Sequence, residues 1–397
     1  MSTQSPAPGP HYETTPPVAP TEDSVGGQPA GRPVGHEGTR VEITERKAWS
    51  VGGLPTLLIL LLLFGGAIVL AGQAFSTGDG RMMLLAMLLV VLGVLGASSL
   101  TIVNPGDTKV VYDVHHPKPW GWRVATYLWT KGIASGALLI AAILLLFGWA
   151  GDRNTFDIAA PLLGMIFIAA TAVFLITDLK RPERFWFLLA KPNPTSWLVW
   201  GGYILGLFGA VAFLWLGAAL LDLDGVQNVL MALSIPLAAA SAGYTAFLFA
   251  QAEGRDSWQS PMLLPHLLVQ AGVAGAAILL IGGGLLGADD GDLRVLAGVL
   301  AGAVVLSAAL LLMEYSVPHV NAHVRKTVDL ITHGPYRSTL LGGVLLLGTL
   351  VPVALVALMF AIDAYALLGA LAGVAALAGL WLYERMWVSA GQDVPLS

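Results

Sequence analysis

Four ionisable side chains lie inside or at the ends of long apolar runs, where charge is costly. Lys131 stands about eight residues, or roughly 12 Å, into one run, and His266 stands within another, next to Pro265. Asp178 and Glu314 each end an apolar run. Ionisable residues at membrane depth are functional candidates by default. An ammonium, an imidazole and two carboxylates can donate, accept and pass on protons, so these residues predict proton-handling chemistry.

Each of these positions also has a structural interpretation. Lys131 can extend to the surface or pair with an acid, and a lone histidine such as His266 is usually satisfied by its neighbours. Tyr244, about two turns before the end of another run, can simply join two helices. His319 and His323 have the i, i+4 spacing of a metal pair, but no third ligand is evident. We therefore expect a solvated loop there and no metal site.

The composition indicates a polytopic helical membrane protein. Of the 397 residues, 56% are hydrophobic and only 11% are charged, against about 25% charged in ordinary soluble domains. Many apolar stretches reach about 20 residues, the length that crosses a hydrocarbon core. The chain has no cysteine, which excludes a cysteine-ligated iron–sulfur cluster, a haem–thiolate or a disulfide. Only His266 lies within an apolar run, so a bis-histidine haem is not expected, and redox chemistry would need a diffusible cofactor or a partner's centres.

Ten membrane helices are predicted after an N-terminal tail. The tail, residues 1–48, is rich in Pro, Gly, Ser, Thr and Glu, which predicts disorder, and no cleavable signal peptide is apparent before the first apolar run. An even number of crossings places both termini on the same side of the membrane. The predicted helices are 54–76, 82–103, 123–150, 156–178, 195–222, 226–251, 259–286, 292–315, 338–361 and 363–386.

Positive charge is concentrated on the side of the membrane that holds both termini, here called side A. Of the 20 lysines and arginines, only Arg81, Arg153 and Arg294 fall in the short turns of the opposite side B, and Lys131 falls within a helix. The positive-inside rule therefore predicts that side A and both termini are cytoplasmic. Besides the termini, side A comprises the segments 104–122, 179–194, 252–258 and 316–337.

The last eight helices form two similar groups of four, which predicts two bundles related as a parallel repeat. The second helix of the first group ends near Asp178, and that of the second group ends at Glu314. Each third helix then opens with a Gly-Gly pair, at 201–202 and at 342–343. Asp178 and Glu314 would therefore occupy equivalent positions.

The segment from Asp178 onward carries two specific motifs. The run Asp178–Phe185 reads acid-Leu-x-Arg-Pro-x-Arg-Phe, and Asn193–Gly201 reads Asn-Pro-x-Ser-Trp-x-x-Trp-Gly. Both resemble the NrfD/polysulfide reductase membrane-subunit family. Trp120–Leu139 is similar to the first core helix of that family, and Glu314–Gly343 is similar to its second-bundle loop. The resemblance covers about residues 120–386.

The resemblance implies an all-α polytopic fold of about ten transmembrane helices, with a core of two four-helix bundles and two extra N-terminal helices. Residues 120–386 then form the eight-helix domain, 49–119 a two-helix anchor with its connecting loop, and 387–397 a C-terminal tail. Family members carry no haem, iron–sulfur cluster or metal, and they bind a quinone or quinol near one membrane surface. An iron–sulfur subunit docks there and connects to a molybdopterin-type catalytic subunit. The implied function is the quinone-interacting anchor of a respiratory oxidoreductase in a bacterial or archaeal cytoplasmic membrane.

The resemblance also indicates where the quinone would bind. Polar residues early in the first core helix approach the headgroup in this family, and Arg123 and Tyr127 match those positions. Lys131 could donate a hydrogen bond or a proton to a quinone carbonyl, whereas Trp200 and Tyr203 could instead belong to an interfacial aromatic belt. The predicted quinone-binding residues are Arg123, Tyr127, Lys131, Trp200, Tyr203, Tyr244 and His266. The predicted proton-handling residues are Lys131, Asp178 and Glu314.

The loop after Asp178 is larger than a simple turn requires. Arginine and aromatic side chains together are favoured at protein interfaces, so we predict that this loop docks the partner subunit. Arg181 and Arg184 could instead pair with Asp178 and brace the loop. The predicted docking residues are Lys180, Arg181, Arg184, Trp186 and Lys191.

Two other functions fit the sequence. An ion-translocating or transporter subunit would use the repeat, Lys131 and the acids at helix ends, and it would be favoured by discontinuous helices in both repeats. A passive membrane anchor would bind a partner but no quinone. A cavity on side A without polar lining would favour that interpretation.

Overall fold

A computed structural model describes most of the chain beyond the N-terminal region. The two helices predicted at 54–76 and 82–103 fall almost wholly outside the described residues. The described residues are 39–48, 103–113, 117–252, 254–316 and 322–394, with isolated positions at 62, 66 and 89.

Eight helices in the described part of the chain are long and apolar enough to cross a membrane. They confirm the predicted all-helical polytopic fold, and each predicted core helix is present with ends shifted by a few residues. In α2 the first seven residues, and in α7 the first twelve, are wound as π-helix. The eight helices are α1 (Trp122–Leu146), α2 (Arg153–Asp178), α3 (Trp197–Leu220), α4 (Asp224–Ala250), α5 (Leu263–Leu286), α6 (Asp290–Ser316), α7 (Thr339–Ile362) and α8 (Tyr365–Ala390).

Short elements fill the connections on side A. The loop between α2 and α3 holds a 3₁₀ turn, Pro182–Arg184, and a short helix, Phe187–Ala190. A 3₁₀ turn, Asp256–Gln259, precedes α5, and an amphipathic helix, Ala322–Thr332, lies between α6 and α7. The side-A connections are therefore structured. The solvated loop expected around His319 and His323 is wrong at His323, which lies on the Ala322–Thr332 helix.

A pair of antiparallel strands departs from the sequence-based expectation. β1 (Thr39–Ala48) pairs with β2 (Val103–Asp113), with an irregularity between Thr44 and Arg46. The composition of residues 1–48 predicted disorder throughout, and residue 103 was predicted to end a helix. Both expectations are wrong at these positions. Val41 and Ile43 alternate with polar residues, and β2 is rich in valine, a pattern that favours paired strands over disorder or helix.

Helices α1–α4 form one closed bundle and α5–α8 form another, as predicted. In each bundle consecutive helices pack together, and the last returns to the first. The bundles meet mainly where α1 packs against α5 and α8. At the α1–α5 crossing, a Cβ added to Gly136 would overlap the backbone of Ala271 and Gly275. This glycine contact brings the two backbones together and fixes how closely the bundles approach.

The C-terminal boundary also differs from the prediction. α8 continues to Ala390 rather than ending at residue 386, because Trp387 is buried against Phe249 and Trp258. The predicted tail therefore begins as helix.

Residues after α8 fold back onto side A in an arrangement we call the clasp. The Gln392 side chain accepts a hydrogen bond from the Trp120 backbone N–H (3.0 Å) and donates one to its carbonyl (2.6 Å). Arg255 donates to the Gln392 carbonyl at 3.0 Å, and Tyr336 donates to Asp393 at 2.5 Å. Burial raises the pKa of Tyr336, and the bond to Asp393 raises it further. The clasp thus joins the segment before α1 to the segment after α8.

The α1–α5 crossing yields a stability prediction. Gly136→Ala should lower the free energy of unfolding by about 1–3 kcal/mol, because the new methyl group meets rigid backbone and the bundles must separate to accept it. Gly206→Ala is the matched control, since a Cβ there meets nothing within 4 Å and alanine favours helix. Unfolding of both variants in mixed micelles, followed by tryptophan fluorescence, tests this. Equal stabilities would contradict it.

Candidate functional site

The centre of the first bundle contains a buried ammonium group. Lys131 on α1 is only 1% exposed, so it does not extend to the surface. Its Nζ donates hydrogen bonds to the Ala242 carbonyl (2.7 Å) and to Thr245 Oγ1 (2.6 Å) on α4. It also lies 4.9 Å from the centre of the Tyr244 ring, which is cation–π distance. One of its three N–H donors remains for another group.

A buried carboxyl group lies in the same cavity as Lys131. Glu384 on α8 is buried, and it lines a small cavity that also contains Lys131 and Gln270. No ion-pair contact joins these two described side chains, so they face one another across the cavity without touching. The sequence analysis missed Glu384, because it lies beside Arg385 near a helix end, where a charge is expected to face the interface. A count of acids inside the last apolar run would have found it.

Tyr127 and Tyr244 complete the cluster in the first bundle. Both side chains are buried, and they lie close enough to interact electrostatically. The Tyr244 hydroxyl has no hydrogen-bond partner, although buried hydroxyl groups almost always have one. The Tyr244 ring packs directly on Gly201 of α3. The Gly-Gly pair that opens α3 therefore makes room for this ring.

Asp178 and Arg123 lie at the side-A mouth of the first bundle. Arg123 is exposed, Asp178 is half-buried, and Arg123 is the charged group that acts on Asp178. Among the described residues no ion pair joins Asp178 to Arg181 or Arg184. The bracing role considered for these two arginines is therefore absent from this structure.

His266 and Glu314 lie together in the second bundle, apart from the Lys131 cluster. His266 Nε2 is 3.1 Å from Glu314 Oε2, although the ring N–H is not aimed well enough for a hydrogen bond. We therefore treat the contact as electrostatic. Ser260 Oγ donates to the other Glu314 oxygen at 3.2 Å. The structure thus places Lys131, Tyr127 and Tyr244 in the first bundle and His266 with Glu314 in the second.

Trp200 and Tyr203 do not join either cluster. Their side chains are 49% and 41% exposed, on the outer face of α3. Trp200 Nε1 donates to the Pro194 carbonyl at 3.0 Å. This placement suits interfacial aromatic residues and separates both side chains from the buried groups.

The predicted docking loop presents its charges and rings outward. Trp186 is 50% exposed and stacks on Phe187, with ring centres 4.1 Å apart. Lys191 Nζ lies 5.8 Å from the Phe187 ring centre. All five predicted docking residues are exposed: Lys180, Arg181, Arg184, Trp186 and Lys191.

The histidine pair considered for metal binding is only partly visible. His319 lies outside the described residues, and His323 Nδ1 lies 3.9 Å from Asp256 Oδ2. No group of three or more candidate ligands occurs within the described part of the chain.

Comparison with known proteins identifies related membrane subunits. The family profile described as "Polysulphide reductase, NrfD" matches residues 111–394. A putative dimethyl sulfoxide reductase membrane subunit of Halobacterium salinarum is 26% identical over 232 residues, 51% of this chain and 53% of that protein. Protein NrfD of Escherichia coli is 28% identical over 187 residues, 41% of this chain and 58% of that protein.

A third relative matches a shorter region. One of the polysulfide reductase chains of Wolinella succinogenes is 35% identical over 92 residues, 22% of this chain and 28% of that protein. The protein described here therefore spans little more than half the length of the first two relatives and less of the third.

The buried lysine and glutamate yield a second stability prediction. Lys131→Met and Glu384→Gln should each lower the free energy of unfolding, by about 3–5 kcal/mol if the remaining charge stays uncompensated. The double variant should lose less than the sum of the single losses, because neither charge then remains. Unfolding in mixed micelles measures all three variants. Lys118→Met is the control, since its ion pair with Asp393 is exposed and worth about 1 kcal/mol or less. Strictly additive losses would contradict the coupling.

Proposed function

Because this chain belongs to the NrfD/polysulphide reductase family, we propose that it is the quinone- or quinol-interacting membrane subunit of an oxidoreductase complex. The relatives are named as subunits or chains of reductases, which supports the role of a subunit. The observation that carries the proposal is the buried, unpartnered Tyr244 hydroxyl, on a ring whose centre lies 4.9 Å from the Lys131 ammonium. A quinone oxygen is an acceptor that both groups could serve.

The geometry supports a headgroup site in the first bundle, open toward side A. Tyr127, Lys131 and Tyr244 would hydrogen-bond the headgroup, and Arg123 with Asp178 would border the entrance. Trp200 and Tyr203 would hold α3 at the membrane surface rather than contact the headgroup. Proton transfer requires groups within hydrogen-bond reach of the quinone oxygen, directly or through one water.

In the oxidation direction, the quinol would release two electrons and two protons. The electrons would pass to an iron–sulfur centre of a partner, and from there to a molybdopterin-type subunit. The protons would pass to Lys131, Asp178 or other groups of this chain. The reduction direction would run the same transfers in reverse.

The exposed loop on side A supports partner docking above this site. Its arginines, lysines and tryptophan lie on the same face as the mouth of the first bundle, so electrons would have a short route to a docked centre. The charge bias of the loops supports a cytoplasmic side A in a bacterial or archaeal membrane.

The two alternative functions have less support. All eight described spans run as continuous helices, whereas transporters of this kind use broken helices in both repeats. A passive anchor needs no polar cavity, whereas the cavity beside α1 is lined by Lys131, Gln270 and Glu384.

Binding of a quinol analogue tests the headgroup site. In Tyr127→Phe and Tyr244→Phe, the Kd should rise about five- to tenfold, the effect of losing one hydrogen bond. Tyr203→Phe should leave the Kd unchanged, because that side chain is exposed on the outer face of α3. Quenching of a fluorescent headgroup analogue by the purified protein measures these values. Failure of the wild-type protein to bind the analogue saturably would refute the proposal.

Charge reversal tests the docking loop. Arg181→Glu and Arg184→Glu should reduce co-purification of a partner subunit and make it more sensitive to salt, because the loop charges are exposed and screened. Arg337→Glu reverses another exposed charge on side A and serves as the control. Quinol-analogue binding should stay unchanged in all three variants. If Arg337→Glu lost as much partner as the two loop variants, the loop would have no special role in docking.

A further inference from the structure

The Lys131 cluster has a counterpart in the second bundle. Gly136 and Gly275 meet at the crossing of α1 and α5, and a shift of 139 residues along the chain (136 to 275) relates them. At four further positions, adding 139 to the number of a polar residue in the first bundle gives a polar residue in the second. The shift relates Tyr127 to His266, Lys131 to Gln270, Tyr244 to Tyr383 and Thr245 to Glu384.

The burial repeats together with the residues. Tyr127 and Tyr244 are buried in the first bundle, and so are their counterparts His266 and Tyr383 in the second, whose ring centres lie 6.4 Å apart. The residue types, however, change from one copy to the other. The second copy holds histidine and glutamate, whose side chains can take up and release a proton, and glutamine, whose amide can donate and accept hydrogen bonds.

A cavity occupies the second copy. It offers about 30 Å³ to the centres of water-sized spheres, and its polar lining comes from His266, Gln270, Ser307, Thr349 and Tyr383. One water needs about 10–15 Å³ by this measure. The space is therefore large enough for about two or three water molecules.

Two buried atoms at this cavity lack a hydrogen-bond partner in the protein. They are His266 Nε2 and Gln270 Oε1, on side chains that are 2% and 4% exposed. Buried polar atoms are rarely left unsatisfied, and water in a polar cavity is the usual partner.

The backbone of α7 is also unusual at this cavity. Its first half, Thr339–Leu350, is π-helix, a rare conformation that often accompanies functional sites. Val344, Gly348 and Thr349 from this segment line the cavity. The wider turns thus form one wall of the space.

The cavity lies between two places that hold ionisable side chains. Gln270 and Leu380 line both this cavity and the smaller one that holds Lys131 and Glu384. At the other end His266 Nε2 lies 3.1 Å from Glu314, whose side chain is 19% exposed near side A. The order Lys131–Glu384, Gln270, His266, Glu314 therefore leads from the buried charge pair toward the surface.

We propose that the second bundle's copy of the site is a hydrated proton relay between the buried Lys131–Glu384 pair and Glu314 on side A. At each step an O–H or N–H bond breaks on the donor and one forms on the acceptor, so one proton moves and no electrons do. Gln270 orients the water that joins the two cavities, and Glu384 holds the proton that a quinol has released. The relay rests on the proposed function for its proton source, since the quinol supplies the protons while its electrons leave to the partner.

Radiolytic hydroxyl-radical labelling of the purified full chain tests hydration without any quinone. Radicals formed from internal water should oxidise His266 and Tyr383 despite their burial. Ser307→Leu, which places an apolar side chain in the cavity, should reduce that oxidation several-fold while exposed Tyr203 remains equally oxidised. Oxidation of Tyr383 that is no faster in the wild type than in Ser307→Leu would overturn the relay, whatever the protein binds.

Turnover of the purified complex with a quinol tests the transfer itself. Gln270→Leu should keep the Kd for the quinol analogue, yet slow turnover at least several-fold and enlarge its solvent deuterium isotope effect. Gln270→Glu should restore part of the rate. Ser307→Leu, which fills the cavity and leaves Lys131 and Glu384 unchanged, provides a second interruption if the first variant folds poorly. Wild-type turnover and an unchanged isotope effect in folded Gln270→Leu would refute the relay.

Binding of the quinol analogue distinguishes failure of the relay from failure of the proposed quinone function. A second bound analogue molecule that Ser307→Leu displaces would show a ligand site in place of the relay. Absence of any saturable analogue binding would refute the quinone function, and the labelling result would then decide on hydration of the cavity alone.

Discussion

A lysine ammonium buried at membrane depth sets the conditions for the rest of this structure. Such a charge needs hydrogen-bond acceptors and a counter-charge, since leaving it bare costs several kcal/mol. For Lys131 the acceptors lie on α4, at the Ala242 carbonyl and Thr245 Oγ1. The carboxyl group that shares its cavity lies on α8, in Glu384. One side chain on α1 therefore requires elements of both bundles to take defined positions, and the close glycine crossing of α1 with α5 makes those positions possible.

Polar groups serve different purposes on the two sides of the membrane. On side B they mainly close turns: Asp292 accepts hydrogen bonds from the backbone of Gly151 and Asp152, and Arg153 pairs with Asp222 at 2.6 Å. Toward side A, the buried polar atoms without a partner within the protein include those of Tyr244 and His266, although Thr155 and Arg294 on side B also have such an atom. Satisfied groups stabilise a fold, whereas unsatisfied ones await a ligand or water. Tyr244 and His266 differ from the side-B residues in lying on the side that also carries the exposed basic loop.

The sequence predicted the eight core helices and singled out Lys131 as a charge within one of them, because both are local signals. A long apolar run needs no partner to be recognised, and a charge within it stands out. The partners of that charge were less visible, because the burial of Glu384 depends on how α8 packs against α1 and α5. The sequence also did not show that Trp200 and Tyr203 face outward, since a membrane helix is apolar all round and its sequence has little amphipathic pattern. Strand β1 was not predicted, because the Pro- and Gly-rich composition of residues 1–48 was given more weight than the short alternation of apolar and polar residues around Val41.

The clasp bears on the order in which this protein can mature. Gln392 bonds to Trp120 across a sequence separation of 272 residues, and all eight described spans lie between them. The contact can therefore close only after the last span has left the translation and insertion machinery. Until then the side-A ends of α1 and α8 are not tied together. A nascent or truncated chain would lack this contact, so the side-A ends of α1 and α8 are joined only in molecules whose synthesis has passed α8.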